Sequence, residues 1–200
     1  MPKTKPAITV LVDMDNCIVH TITLPAKHLK DCHTVIEETT SGLRVSVLRP
    51  STIPFLQALA AKGYTLCVMT SGQRDLQELV LQKLGIRDFF QEIYGGADEQ
   101  IRLDANAFVL VDDIAVEMGT STKLALLGVP EIADLKFAME CIRNIDDYAE
   151  AKKRLPLAAA PYFVQCEGWC GAYTEDDIDV QPLTELVSQI ETKISSQLND

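Results

Sequence analysis

Basic charge is scarce in this sequence: 18 Lys and Arg stand against 29 Asp and Glu, a net charge of −11 over 200 residues. Holding a nucleic acid takes a clustered basic surface, so that polyanion is excluded as the main partner. Most of the excess acid reads as a solubilising surface, with a few carboxylates left for a site. Long apolar runs are missing as well. No uncharged stretch reaches membrane-spanning length, and Pro2-Lys3-Thr4-Lys5-Pro6 leads into an apolar run that Asp13 stops too early for an export signal. The expectation is a soluble, cytoplasmic protein with no membrane partner, whose cysteines (Cys17, Cys32, Cys67, Cys141, Cys166, Cys170) stay reduced. Repeats and low-complexity linkers are also absent. With 47% hydrophobic residues the chain can bury one substantial core, so a single domain over residues 1–200 is the default. Oligomeric state leaves no trace in the sequence.

What the chain does have is apolar runs that stop abruptly at polar groups. Ile8, Val10, Leu11 and Val12 end in Asp13-Met14-Asp15-Asn16, which should bring both carboxylates to one edge of a buried sheet. Two acids at that spacing can divide a reaction, the first binding a cation or attacking an electrophile, the second managing protons. A calcium loop is a poor fit, because the Gly and the distal Glu of that template do not follow Asn16. Phe108-Val109-Leu110-Val111 stops in the same way at Asp112-Asp113, and the run Tyr64 to Met69 stops at Thr70-Ser71-Gly72. Parallel α/β sheets bind ligands at the carboxyl ends of their strands, so the three endings are expected to share one site suited to Mg²⁺ and phosphate.

These motifs resemble those of the haloacid dehalogenase superfamily of aspartate-nucleophile phosphatases. Asp13-Met14-Asp15-Asn16-Cys17 is similar to its first motif, Thr70 to its second and Asp112-Asp113 to its fourth. Ile18-Val19-His20-Thr21, Leu48-Arg49-Pro50 before Phe55-Leu56, and Asp176-Asp177 before a final helix resemble the small C-terminal-domain phosphatase branch, which acts on phosphoserine and phosphothreonine in proteins. The sequence departs from that branch at Cys17, where Thr or Val is usual, and in having no Lys at the usual distance before Asp112.

The resemblance implies a Mg²⁺-dependent phosphomonoesterase with Asp13 as nucleophile and Asp15 as general acid and base. Metal ligation falls to Asp13, the Asp15 backbone carbonyl and Asp112, with Asp113 and Glu117 better spaced for supporting roles. Thr70 is expected to bind a phosphoryl oxygen, helped by the N–H groups of Ser71 and Gly72. Arg102, then Lys83, are the candidates for the missing cation, and Arg49 is either a substrate contact or structural. The substrate is expected to be a phosphorylated protein. A small phosphomonoester metabolite is the alternative, and a binding module with the same fold but weak turnover is a third reading.

In organisation the chain alternates strands and helices, which predicts a doubly wound parallel α/β sheet. A helix opens at Ser51 as N-cap and ends at Gly63, another runs Arg74 to Leu84 before Gly85, one or two lie between Ile132 and Leu155, and an amphipathic one closes the chain through Leu183, Leu186, Val187, Ile190 and Ile194. Between His20 and Arg49 two strands, Thr34 to Glu37 and Leu43 to Leu48, are expected to form a hairpin flap turning at Thr40-Ser41-Gly42. Such a flap is too small to seal a site. One competing constellation is a zinc site from His28, Cys32 and His33 with Cys166 and Cys170, joined by residue type alone.

Overall fold

A computed structural model of the chain describes residues 7–95, 101, 103–114, 118–132, 134, 145–170, 179 and 181–199. In chain order the elements are β1 (Ile8–Val12), β2 (Val19–Leu24), β3 (Thr34–Thr39), β4 (Gly42–Leu48), α1 (Thr52–Ala61), β5 (Thr65–Met69), α2 (Arg74–Lys83), β6 (Glu92–Tyr94), β7 (Ala107–Asp112), α3 (Met118–Leu126), α4 (Ile145–Ala159), β8 (Phe163–Gln165) and α5 (Val187–Asn199). No helix among the described residues is long and apolar enough to cross a membrane.

Five strands form a parallel sheet in the order β6-β5-β1-β7-β8. Successive side chains leave opposite faces of a strand, and both faces are covered here. Val10, Val12, Leu66, Val68, Val109 and Val111 join one core together with α1, α2 and the C-terminal Ile190 and Ile194. Leu11, Cys67, Met69 and Leu110 join a second core with Leu124, Leu155 and Ala159 from α3 and α4. This is the doubly wound α/β architecture that the alternation predicts. Its register aligns the strand ends: Val12 lies beside both Val68 and Val111, so the residues just past those three strands come to one place.

The flap has one strand more than expected. β2, β4 and β3 make a separate three-stranded antiparallel sheet, in which β2 leaves directly from the turn after Asp15. Its tip requires Gly42, whose φ of +146° is accompanied by an approach so close that a Cβ would lie 2.5 Å from the Leu24 carbonyl oxygen. Ile36 from β3 is buried in the core that α2 also joins, which anchors the flap over one side of the sheet edge.

Ser51 differs from its expected role. It precedes α1, but its own backbone is helical and its side chain makes no capping bond. The hydroxyl instead donates to the Asp179 carboxylate and accepts from the Leu183 N–H at 2.9 Å, so a tertiary contact has taken the group that would cap.

Candidate active site

Asp13 stands one residue past the central strand, and its N–H still donates to the Val111 carbonyl at 2.9 Å. The sheet thereby fixes the backbone from which its carboxylate projects. The chain then turns sharply: the N–H groups of Cys17, Ile18 and Val19 all approach the Met14 carbonyl, at 3.2, 3.1 and 3.0 Å. Asn16 makes that turn possible with a left-handed φ of 62°, a conformation that Asn tolerates better than most residues. Its side-chain oxygen lies 2.8 Å from His20 Nδ1, which ties the turn to the start of β2.

Oxygens from Asp13, Asp112 and Asp113 all lie within 4.8 Å of one another. Among the described residues this is the one group of three or more metal-ligating side chains; His28, Cys32 and His33 do not assemble with Cys166 and Cys170. No disulfide joins any of Cys17, Cys32, Cys67, Cys166 and Cys170, and Cys141 lies outside the described residues. Asp113 therefore joins the group directly, where spacing assigns it a supporting role. The Asp15 carboxylate does not; it accepts a hydrogen bond from Gln77 Nε2 at 3.1 Å.

Lys123 completes the centre. Its Nζ donates to Asp13 Oδ1 at 2.6 Å and to Asp112 Oδ2 at 2.7 Å, with all three side chains buried. Asp112 Oδ1 is held in turn by the Ile114 N–H at 2.9 Å. Burial pushes the Asp13 carboxyl up to about 7; the Lys123 charge pulls it down and Asp112 pushes it up. Burial also raises Asp15, against the Gln77 hydrogen bond and the His20 charge. Asp113 is raised by burial and then by the Asp112 charge. Burial alone would depress Lys123, but attraction to Asp13 and Asp112 outweighs it and holds the ammonium above its usual range.

The Thr70 side chain is buried at the end of β5, and its Oγ1 accepts from the Gly72 N–H at 3.0 Å. That N–H, expected to face phosphate, is thus taken up by a local turn, which leaves the Thr70 O–H as a donor. Ser71 is exposed beside it. Lys83 is exposed in the last turn of α2, about 9 Å along the helix axis beyond Gln77 and away from the strand ends. Arg102 and Glu117 lie outside the described residues, as do Asp176 and Asp177.

Arg49 is a structural residue. Only 1% exposed, it pairs with Asp179 at 2.9 Å and donates to the carbonyls of Cys17, Glu167 and Gln181 at 3.1, 2.9 and 2.7 Å. It thereby ties the turn after Asp15 to the segment after β8.

Lys123 lies downstream of Asp112, whereas the cations expected from the sequence lie upstream. A signal is nevertheless present: it is the one charged residue in Met118-Gly119-Thr120-Ser121-Thr122-Lys123-Leu124-Ala125-Leu126. A lone charge in such a helix, soon after a pair of acids, is a candidate for a buried partner.

The model of the family described as haloacid dehalogenase-like hydrolase matches residues 26–102. That match supports membership of the haloacid dehalogenase superfamily. The matched stretch runs from the flap through β6 and holds Thr70 and Gln77; both aspartate pairs and Lys123 lie outside it. No curated protein matches the chain. Among solved structures, an uncharacterized protein from Listeria monocytogenes serotype 4b is similar over 53% of this chain and 67% of that one, at 18% identity and a TM-score of 0.35. A likeness that slight adds nothing to the superfamily reading.

Proposed function

We propose that the chain is a Mg²⁺-dependent phosphomonoesterase that works through an aspartyl-phosphate. The observation that carries this reading is the buried centre in which Lys123 bridges Asp13 and Asp112 while Asp113 leaves the group with more negative charge than one ammonium offsets. The donors fit the metal. All are hard carboxylate oxygens gathered within 4.8 Å of one another, the donor type that Mg²⁺ takes. Asp13, Asp112 and Asp113 would hold the ion, with the Asp15 backbone carbonyl as a further ligand. When bound, Mg²⁺ supplies positive charge that lets an anionic carboxylate approach an anionic phosphate.

The Asp13 oxygen attacks phosphorus as the P–O ester bond breaks, and Asp15 gives its proton to the departing oxygen. Asp15 then takes a proton from water, whose oxygen displaces Asp13 and releases inorganic phosphate. Burial supports this double role by raising the Asp15 carboxyl toward a value at which it can hold a proton. Lys123 orients Asp13 and offsets charge at the reacting centre, and the Thr70 hydroxyl donates to a phosphoryl oxygen.

A small flap beside the strand ends favours a substrate whose phosphoryl group projects from a larger body, and the preferred substrate is a phosphorylated protein of the kind the small C-terminal-domain phosphatases act on. The setting we propose is cytoplasmic, where Cys17 and Cys166, buried with their sulfurs 3.3 Å apart, would stay reduced. The test is hydrolysis of an aryl phosphate and a phosphopeptide panel, with EDTA and with Mg²⁺, on wild type and on a variant with the tip at Thr40-Ser41-Gly42 shortened. Activity should need Mg²⁺, and shortening should lower phosphopeptide turnover while sparing the aryl phosphate. A wild type that cleaves small phosphates and ignores the whole panel would point instead to a metabolite phosphatase. No Mg²⁺-dependent turnover of any ester would leave the binding-module reading.

A further inference from the structure

We infer that Gln77 is a positioning residue that aims the Asp15 carboxylate for proton transfer, an inference that rests on the reaction proposed above. Gln77 lies on the inner face of α2 and is 5% exposed. Its Nε2 reaches Asp15 Oδ2 at 3.1 Å, across 62 residues of chain. The other end of the same amide is unmet: Gln77 Oε1 is the buried side-chain polar atom without a hydrogen-bond partner among the described residues.

Packing alone gives no reason for this choice. The other buried residues of α2 are Val80 and Leu81, and an apolar side chain at 77 would extend that face without burying an unsatisfied acceptor. An amide that leaves half its capacity idle stays useful through the half that is engaged. The turn after β5 is shaped around it: a Cβ on Gly72 would lie 2.4 Å from Nε2, so the turn keeps a hydrogen atom where any side chain would push the amide off Asp15. Asp15 stands on a turn past the end of β1, outside the ladder that holds Asp13, and a carboxyl serving as acid and then as base must keep one place through both steps.

The test uses Gln77→Met, nearly isosteric and apolar, in the full chain with Mg²⁺. Two esters separate the roles, because 4-nitrophenolate leaves without help whereas phenolate needs a proton. On phenyl phosphate kcat should fall at least about tenfold, part of the 10²–10⁴ that a positioned acid supplies, with KM little changed. The loss on 4-nitrophenyl phosphate should be far smaller, and Tm should stay equal or rise. In an Asp15→Asn background Gln77→Met should cost nothing further on phenyl phosphate. Equal losses on both esters, or a fall in Tm without ester selectivity, would make Gln77 a packing residue and overturn the inference. If the wild type cleaves neither ester, it is the phosphatase reading that fails. Crystal structures of wild type and Gln77→Met then judge Gln77 by itself: a displaced Asp15 carboxylate supports positioning, and an unmoved one refutes it.

Discussion

Arg49 and Lys123 are both buried cations paired with carboxylates, yet they sit in opposite electrostatic situations. The Arg49 guanidinium meets one carboxylate and three backbone carbonyls, in a set that matches its fork of donors. Lys123 meets two carboxylates with a third close by, so its single charge is outnumbered. The first arrangement is complete and calls for no further ligand. The second is stable only with protons or another cation to balance it, and that need turns a buried ion pair into a site.

The contrast is tested hardest at the Lys123 end. Asp13→Asn should lower turnover by on the order of 10³-fold or more, and Lys123→Met by about 10²–10³-fold, comparable to removing one donor from a charge-stabilising site. Both are measured by initial rates at saturating Mg²⁺, with Tm showing that the variants fold. Turnover close to wild type in Lys123→Met would make that pair as structural as Arg49.

Next comes Arg49→Met. Breaking a buried pair and leaving three carbonyls and Asp179 unmet should cost about 3–5 kcal/mol of unfolding free energy by urea titration, with or without Mg²⁺. The folded fraction should keep its KM. A rise in KM without loss of stability would return Arg49 to the substrate side.

A smaller effect separates the neighbouring acids. Asp112 is wholly buried and held from two sides, whereas Asp113 is partly exposed, so Asp112→Ala should weaken Mg²⁺ binding about tenfold more than Asp113→Ala by calorimetry. Equal affinities would mean that the two share the ion evenly.

The smallest effect is on pH dependence. The Asp13 carboxyl is raised from 3.8 to about 7, so the folded metal-free protein holds a proton that the unfolded chain has lost between those values. Its stability from this group is full below the lower value and declines as pH rises through the upper one. Asp13→Asn should flatten that decline in urea titrations without Mg²⁺, and an unchanged slope would show that the excess charge is relieved elsewhere.

The sheet and the convergence of Asp13, Thr70 and Asp112 are legible in the sequence because strand runs and their polar endings are local signals, and parallel topology then leaves few arrangements. Lys123 and Gln77 are hidden for a different reason. Each acts through a side chain on one helix turn that packs onto a strand end distant in sequence, and helical spacing alone does not say which turn that is. β2 gives no strong strand signal, since His20 and Thr21 stand together between Val19 and Ile22 and break the strict alternation of a half-buried strand. Ser51 fits a cap by residue type, and only the tertiary contact with Asp179 reveals its other use.

The central place of β1 has a consequence for motion. The strand carrying Asp13 has a hydrogen-bonded neighbour on each side, and the Asp13 amide extends one of those ladders. Amides in such a position are among the slowest to exchange with solvent, so the Asp13 backbone belongs to the last part of the domain to loosen. The crowded carboxylates therefore rest on the part of the molecule best able to withstand their repulsion.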